Sequence, residues 1–101
     1  MRSGKLVHVI EIQSAIETVT ATSTWQSFAS LRAELVERST EEFLRNAGET
    51  SETTIVFRTR FVAGIRDQYR VSFDGSTYGI EELVTIGRRK GLEIRCKEIK
   101  P

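Results

Sequence analysis

Cys96 and His8, the chain's only cysteine and only histidine, are the residues that could form a nucleophile and its base. His8 shares one face of an alternating segment with Leu6 and Ile10, and no recognisable catalytic spacing links it to a serine, cysteine or carboxylate. Cys96 follows Ile94 at strand spacing, which is typical of a small core residue. The pattern therefore favours structural roles for both, with a cysteine-dependent hydrolase as an alternative.

The paired acidic residues and the glycine-flanked turn give no better candidate for catalysis. Glu41 and Glu42 are adjacent, so on a helix their carboxylates would point about 100° apart rather than toward one substrate. Glu81 and Glu82 read as a solvated bend, and no acidic spacing is typical of a metal loop. Residues 87–91, Gly-Arg-Arg-Lys-Gly, lack the spacing of a phosphate-binding loop. The sequence predicts no catalytic residue, no metal and no cofactor.

The basic residues are the better candidates for binding. Arg58 and Arg60 lie on one side of a strand, and Arg88, Arg89 and Lys90 crowd one turn, so either group could contact DNA phosphates or an acidic protein. Aromatic residues do not interleave with these charges, which counts against a platform for single-stranded nucleic acid. A solvated sheet surface is the simpler interpretation of the strand pair.

Two hairpins in series position the basic turn and Cys96. Residues 68–99 alternate apolar and polar side chains on both sides of Asp74-Gly75 and again on both sides of the 87–91 turn. Alternation around Asp-Gly is the strongest short-range signal for a hairpin. This stretch therefore predicts an antiparallel β-domain.

The first half of the chain reads as three more strands and a connection. A first strand carries Leu6, His8, Ile10 and Ile12 on one face, and residues 14–24 suit a solvated loop or the start of an edge strand. Apolar residues at alternate positions of 28–35 predict a second strand. Residues 53–61 predict a long third strand.

A short helix is expected between the second and third strands. Ser39 and Glu42 have the spacing of a capping box, and Gly48 stands where a C-terminal cap belongs. The helix should run to about Ala47, with an apolar stripe formed by Phe43, Leu44 and Ala47. Two helical turns are unstable alone, so the segment needs the sheet or a neighbouring subunit as a partner.

Composition limits the class of protein. A chain of 101 residues forms one domain, residues 1–101. Its net charge of +1 provides no global attraction to nucleic acid or to a membrane. One cysteine excludes an internal disulfide, and the short apolar runs lead us to expect a soluble, unsecreted protein. We expect a mainly β fold: a small antiparallel β-barrel or sandwich of five to six strands, with one short helix in a long loop.

The order of motifs resembles the small head-tail joining proteins of tailed bacteriophages, prophages and gene transfer agents, also described as head closure or stopper proteins. The resemblance begins at Gly4, Leu6, His8, Ile10, Ile12 and Gln13 and continues at Trp25 and Ala33. Further on it is carried by Phe57-Arg58-Thr59-Arg60-Phe61, Gly64-Ile65, Arg70-Val71, residues 74–80 and residues 92–97. It spans nearly the whole chain.

This resemblance implies a structural virion protein made in the bacterial cytoplasm. Such a subunit forms a ring at the head-tail connector below the portal and its adaptor, closes the DNA-filled head and docks the tail. The family is not catalytic and involves no membrane, although packaged DNA lies in the channel. In relatives the connection after the second strand, here residues 36–52, is mobile and is associated with closing that channel.

The sequence pattern and the family resemblance together indicate the candidate partner surfaces. Trp25, Glu41, Phe43, Leu44 and Arg45 are the candidates for the ring or partner interface, since the large apolar members have no evident place in the core. Such small patches rarely sustain a ring alone. We expect a protein that is mainly monomeric when isolated and forms a ring on its template. The alternative is a small β-barrel that binds nucleic acid.

Overall fold

The computed structural model describes residues 6–17, 23–45 and 48–99, with only the backbone described at 16, 17, 23, 43–45 and 48–50. The described chain contains six strands and no helix. They are β1 (His8–Glu17), β2 (Ser23–Arg45), β3 (Gly48–Arg60), β4 (Arg70–Phe73), β5 (Ser76–Ile86) and β6 (Gly91–Glu98).

The six strands form one closed antiparallel barrel in the order β1-β2-β3-β6-β5-β4. The last strand in this order, β4, pairs back to β1 through residues 70–72 and 11–13, which closes the sheet. Closure leaves the barrel wall with few free edges. The predicted mainly β fold is confirmed, and so are the two hairpins of residues 68–99, which are β4-β5 and β5-β6.

The core is built by the side chains that alternate into the barrel. Ile10 and Ile12 of β1, Ile55 and Phe57 of β3 and Ile94 of β6 are all fully buried. The remaining buried members of the same cluster are Ala33, Val71, Tyr78, Ile80, Leu92 and Cys96. Period-two alternation thus places one face of each strand inside, as the sequence predicts for these residues.

The segment expected to contain a capped helix is instead a long β-hairpin. Residues 39–45 of β2 pair with residues 48–54 of β3, from Ser39↔Thr54 to Arg45↔Gly48. The predicted helix is therefore wrong, although Ala47 itself lies outside the described residues. An isolated two-turn helix must first nucleate, which is unfavourable. Extending an existing hairpin adds paired residues to a register that the barrel has already fixed.

We call residues 40–45 and 48–53 the arm, because they continue β2 and β3 beyond the barrel wall. Among the described pairs, β1 pairs with β2 only as far as Ala33, and β6 pairs with β3 only as far as Thr54. Thr40 and Thr53 form the first rung of the arm, with their hydroxyl oxygens 3.0 Å apart. The arm is thus a two-stranded ribbon with two open backbone edges.

Strand β2 links both ends of the barrel and bends on the way. A straight strand of 23 residues would span about 70 Å, whereas the longest extent of the molecule is 45 Å. Register shifts leave Phe28 without a partner on β1 and Val36 without a partner on β3. Bulges of this kind bend and twist a strand, so these two residues mark where β2 changes direction.

The first hairpin extends further than the sequence suggests. Strand β1 continues through Glu17 and β2 begins at Ser23, and their pairing reaches Glu17↔Ser23. Most of the expected 14–24 loop is therefore paired strand, in keeping with the edge-strand interpretation. Residues 18–22 lie outside the described chain.

The Asp74-Gly75 turn permits a direct test of backbone conformation. Gly75 has a φ of 82° with open space around its α-carbon, whereas Gly79 has ordinary φ and its added Cβ would meet Ile99 at 3.6 Å. We expect Gly75→Ala to destabilise the fold by about 1 kcal/mol, because L residues are strained at positive φ. The control Gly79→Ala should be neutral or slightly stabilising. Urea unfolding measures both, and equal effects would contradict the turn assignment.

Candidate functional site

The basic turn and the end of β3 lie together at one end of the barrel, which we call the basic end. Gly91, which follows the 87–90 turn, pairs with Arg60, so the turn and Arg60 are neighbours. The guanidinium of Arg89 stands 5.7 Å from the centre of the Phe61 ring, a cation–π distance. Arg88 and Lys90 are exposed. Four of the five basic candidates predicted from the sequence are therefore brought to one place.

Arg58, the fifth basic candidate, is already paired within the chain. It faces Glu93 on β6, and its Nε lies 3.1 Å from Oε1 of that carboxylate. Arg95 reaches the other oxygen of Glu93 at 2.8 Å and Oε1 of Glu82 at 3.2 Å. Because Glu93 balances its charge, Arg58 contributes less than Arg60 to any surface that attracts an acidic partner.

Glu93 lies between two arginines on the wall of the barrel and accepts a hydrogen bond from each. Glu93 is buried, with 7% of its surface exposed. The hydrogen bond from Arg95 is the largest influence on its pKa, which is lowered by Arg95 and Arg58 despite the opposing effect of desolvation. The two arginines stabilise the carboxylate because both donate hydrogen bonds to its charged form. This network ties β3 to β6 and β5.

Trp25 lies outside the core, beside the seam between β1 and β4. It is 36% exposed, and the Arg70 guanidinium stands 4.2 Å from the centre of its ring. Arg70 also donates from Nε to Oε1 of Gln13 at 2.6 Å. These contacts lie across the closure of the barrel. Partial exposure of a tryptophan stacked with an arginine suits a binding surface, so the proposal of Trp25 as an interface residue stands.

Phe28 and Tyr69 form a separate aromatic pair, and sequence reasoning proposed neither as a site residue. Their ring centres are 5.3 Å apart, and Phe28 is 40% exposed. Phe28 also lies so close to Gly64 that a Cβ there would be 3.3 Å from its ring. The bulge at Phe28 turns its ring toward the 61–69 loop, and no turn residue in the sequence marks that bulge.

The other end of the barrel carries the arm. Glu41 and Glu42 are exposed on β2, opposite Glu52 and Ser51 on β3. Glu52 forms an ion pair with Lys97, with Nζ and Oε2 3.1 Å apart, which ties the base of the arm to β6. Phe43, Leu44 and Arg45 lie on β2, paired with Thr50, Glu49 and Gly48. Only their backbone is described.

The charges of this nearly neutral chain are segregated between the two ends. The arm, residues 40–45 and 48–53, contains four glutamates and one arginine. Residues 60–70 together with 87–91 contain six Lys or Arg and one aspartate. The chain therefore has an acidic arm and a basic end joined by the barrel. A surface of this kind favours contact between unlike ends of separate molecules.

His8 and Cys96 are not brought together by any described contact. The His8 ring packs edge-on against Phe73, with ring centres 5.6 Å apart. The Cys96 thiol is fully buried and donates to the Ile55 carbonyl at 3.4 Å. Burial, with a smaller contribution from Glu81, raises the pKa of Cys96 to about 12. At neutral pH the side chain is a thiol rather than the thiolate that a nucleophile requires.

No group of three or more His, Cys, Asp or Glu among the described residues could hold a metal ion. Within the same residues, no helix has the length and apolar character needed to cross a membrane.

Comparison with known proteins gives the family. A family model for the phage head completion protein matches residues 1–99. The chain belongs to the phage head completion protein family. It is a structural component of the virion and acts at the head connector.

A solved structure supports the fold of this head completion protein. A chain from the virion of a native gene transfer agent particle matches with a TM-score of 0.72, over 90% of this chain and 93% of that chain. Sequence identity is 14%, so this likeness shows a shared fold. No curated protein matches the sequence. The resemblance seen in the order of motifs is therefore confirmed at the level of the family.

The Glu93 network predicts a pH-dependent contribution to stability. We expect Glu93→Gln to lower the free energy of unfolding by about 1–2 kcal/mol at neutral pH, because two arginines lose a charged acceptor. The folded-state pKa of Glu93 is lowered, so this stability is present above the ordinary glutamate pKa. It is lost as pH falls through the folded-state pKa. Urea unfolding at about pH 7 and about pH 3 should show the difference shrinking in acid.

The control for this prediction is Glu81→Gln, because Glu81 is exposed on the neighbouring strand β5. Its effect should stay within about 0.5 kcal/mol at both pH values. A pH-independent loss of stability in Glu93→Gln would show that packing, rather than the carboxylate, matters.

The buried thiol predicts slow chemical modification. We expect a thiol-specific reagent to label Cys96 only as fast as the protein opens, because the thiol is both inaccessible and protonated. Placing a second cysteine at exposed Ser30, as Ser30→Cys, supplies a control that should react rapidly. Rapid labelling of Cys96 in the folded protein would revive the hydrolase alternative.

Proposed function

We propose that this head completion protein forms a ring at the head-tail connector, below the portal and its adaptor, where it closes the DNA-filled head and docks the tail. Family membership carries the proposal. The barrel supports it, since a closed sheet with one long projecting hairpin is a rigid body with an arm suited to contacting other subunits. The role is structural, and the chain performs no catalysis.

The arm is the part of the chain that we assign to neighbouring subunits. Its backbone edges are open beyond Ala33 on β2 and before Thr54 on β3 among the described pairs. Its exposed Glu41 and Glu42 precede Phe43, Leu44 and Arg45 in sequence. Such a ribbon gains little from the barrel and much from a partner. We propose that residues 36–52 help to close the channel when the ring is complete.

The basic end is the second surface that we assign to a partner. Arg60, Arg88, Arg89 and Lys90 gather there, and Trp25 lies near the adjoining seam. An acidic face of the adaptor or tail, or the packaged DNA, would match this charge. The same segregation of charge explains why we expect a mainly monomeric protein in isolation: exposed ion pairs are weak until copies are held together on a template.

Shortening the arm tests the proposed function. Residues 41–52 are replaced with Asn-Gly, which retains the Thr40-Thr53 rung and supplies a two-residue hairpin turn. The barrel should remain folded, because every fully buried core residue is retained. Heads assembled without the native protein and supplied with this variant should leak DNA or fail to join tails. DNA retention and tail joining are counted by nuclease protection and electron microscopy.

A matched control keeps the arm and alters the Asp74-Gly75 hairpin at Ser76, as Ser76→Thr. This variant should complete heads normally. Wild-type head completion by the shortened protein, with its fold verified by circular dichroism, would overturn the role proposed for the arm.

A further inference from the structure

An open groove lies between β2 and the end of β3, on the side of the barrel away from the arm. It encloses about 540 Å³, and its apolar lining comes from Leu6, Leu31 and Val62. Arg32 and Arg60 also line it, and both are exposed. The groove therefore combines an apolar surface with two guanidinium groups.

Both arginines of the groove keep their charge available. The ion pairs among the described residues involve Arg58, Arg95 and Lys97, and none includes Arg32 or Arg60. The neighbouring Arg58 shows the contrast, since Glu93 already balances it at 3.1 Å. A ligand for the groove should thus carry carboxylates next to apolar groups.

The arm of the same chain has this chemistry. Glu41 and Glu42 are exposed, and the two residues that follow them in sequence are Phe43 and Leu44. The arm cannot reach its own groove, because Glu41 lies nine positions after Arg32 on β2, about 30 Å along the strand. The groove that it can occupy belongs to another copy.

Charge also selects the geometry of that contact. A two-fold contact of arm on arm or groove on groove would bring like charges together and would repel. A reciprocal two-fold exchange would need the arm and the groove, which lie on opposite sides of the barrel, to meet in one patch. A head-to-tail contact places the acidic arm of one copy against the basic groove of the next. Contacts of this type repeat and can close into a ring.

We propose that Glu41 and Glu42 of one copy dock into the groove of the next copy, between Arg32 and Arg60, and that this contact forms the lateral interface of the ring. The inference rests on the proposed ring, and it adds which surfaces meet. Ion pairs between exposed groups are weak individually, so the contact operates between copies held side by side on a template.

Disulfide trapping tests this contact in heads completed with the variant protein, where neighbouring copies are held side by side. A variant with Glu41→Cys and Arg60→Cys should form a ladder of linked dimers, trimers and larger oligomers under mild oxidation, because both positions of each copy find a neighbour. A link within one copy is impossible, since disulfides need α-carbons within about 7 Å. The native Cys96 does not form a disulfide under these conditions, because it is buried and its pKa is raised to about 12.

The matched control pairs Glu41→Cys with Gln68→Cys, because Gln68 is exposed and lies outside the groove, beside residues 81–83 of β5. We expect at least about tenfold less linked oligomer from this control, the factor that a difference of 1.4 kcal/mol in local association would give. Equal ladders from the two variants, or no ladder from the groove variant, would overturn the proposal.

Charge reversal tests the same contact in head completion. Glu41→Arg with Glu42→Arg, and separately Arg32→Glu with Arg60→Glu, should each reduce completed heads about tenfold. Combining all four changes in one chain should restore completion, since every contact then has opposite charges again. Thermal unfolding confirms that each variant folds.

The outcomes separate this inference from the proposed function. Normal completion by both reversed variants, or no recovery in the combined variant, would overturn the arm-to-groove contact while leaving the head-completion role intact. Normal completion by the shortened arm described above would instead overturn the role of the arm itself.

Discussion

Closure of the sheet between β1 and β4 is the constraint on which the rest of the molecule depends. Strand β4 has only four residues, and it meets β1 through three register pairs, from Glu11↔Ser72 to Gln13↔Arg70. If this seam opened, the barrel would become a sheet with two bare edges and an exposed core. The Arg70 side chain strengthens the seam by bonding to Gln13 and stacking on Trp25. A residue at the candidate surface is thus also part of the scaffold.

Much of the barrel could be predicted from sequence because two turns carry unambiguous local signals. Asp74 and Gly75 adopt φ values of 52° and 82°, as a tight hairpin turn requires, and alternation on either side fixes the buried faces. The prediction of a helix between β2 and β3 was wrong for the opposite reason. Its capping box is a local pattern that a strand can also accommodate. Whether the segment forms a helix or a strand is decided by pairing with a segment distant in sequence, and no local sequence pattern indicates that pairing.

The candidate surfaces were predicted in part. A run of three cations in a turn is visible in any sequence, and the structure places Arg60 beside it. The difference between Arg58 and Arg60, however, depends on the cross-strand register that sets Arg58 against Glu93. The groove likewise depends on Leu6 and Val62 converging on β2 from two segments. Contacts between residues far apart in sequence required the folded chain.

The continuity of β2 has a mechanical consequence. One strand forms part of the first hairpin, the barrel wall and the arm, without a break from Ser23 to Arg45. Tension applied to the arm along β2 would load its ladder with β1, from His8↔Ala33 to Glu17↔Ser23, in shear. Hydrogen bonds loaded in shear share the force, whereas those at the end of a peeled hairpin break one after another. The arm is therefore anchored to resist a pull along its length much better than a sideways one.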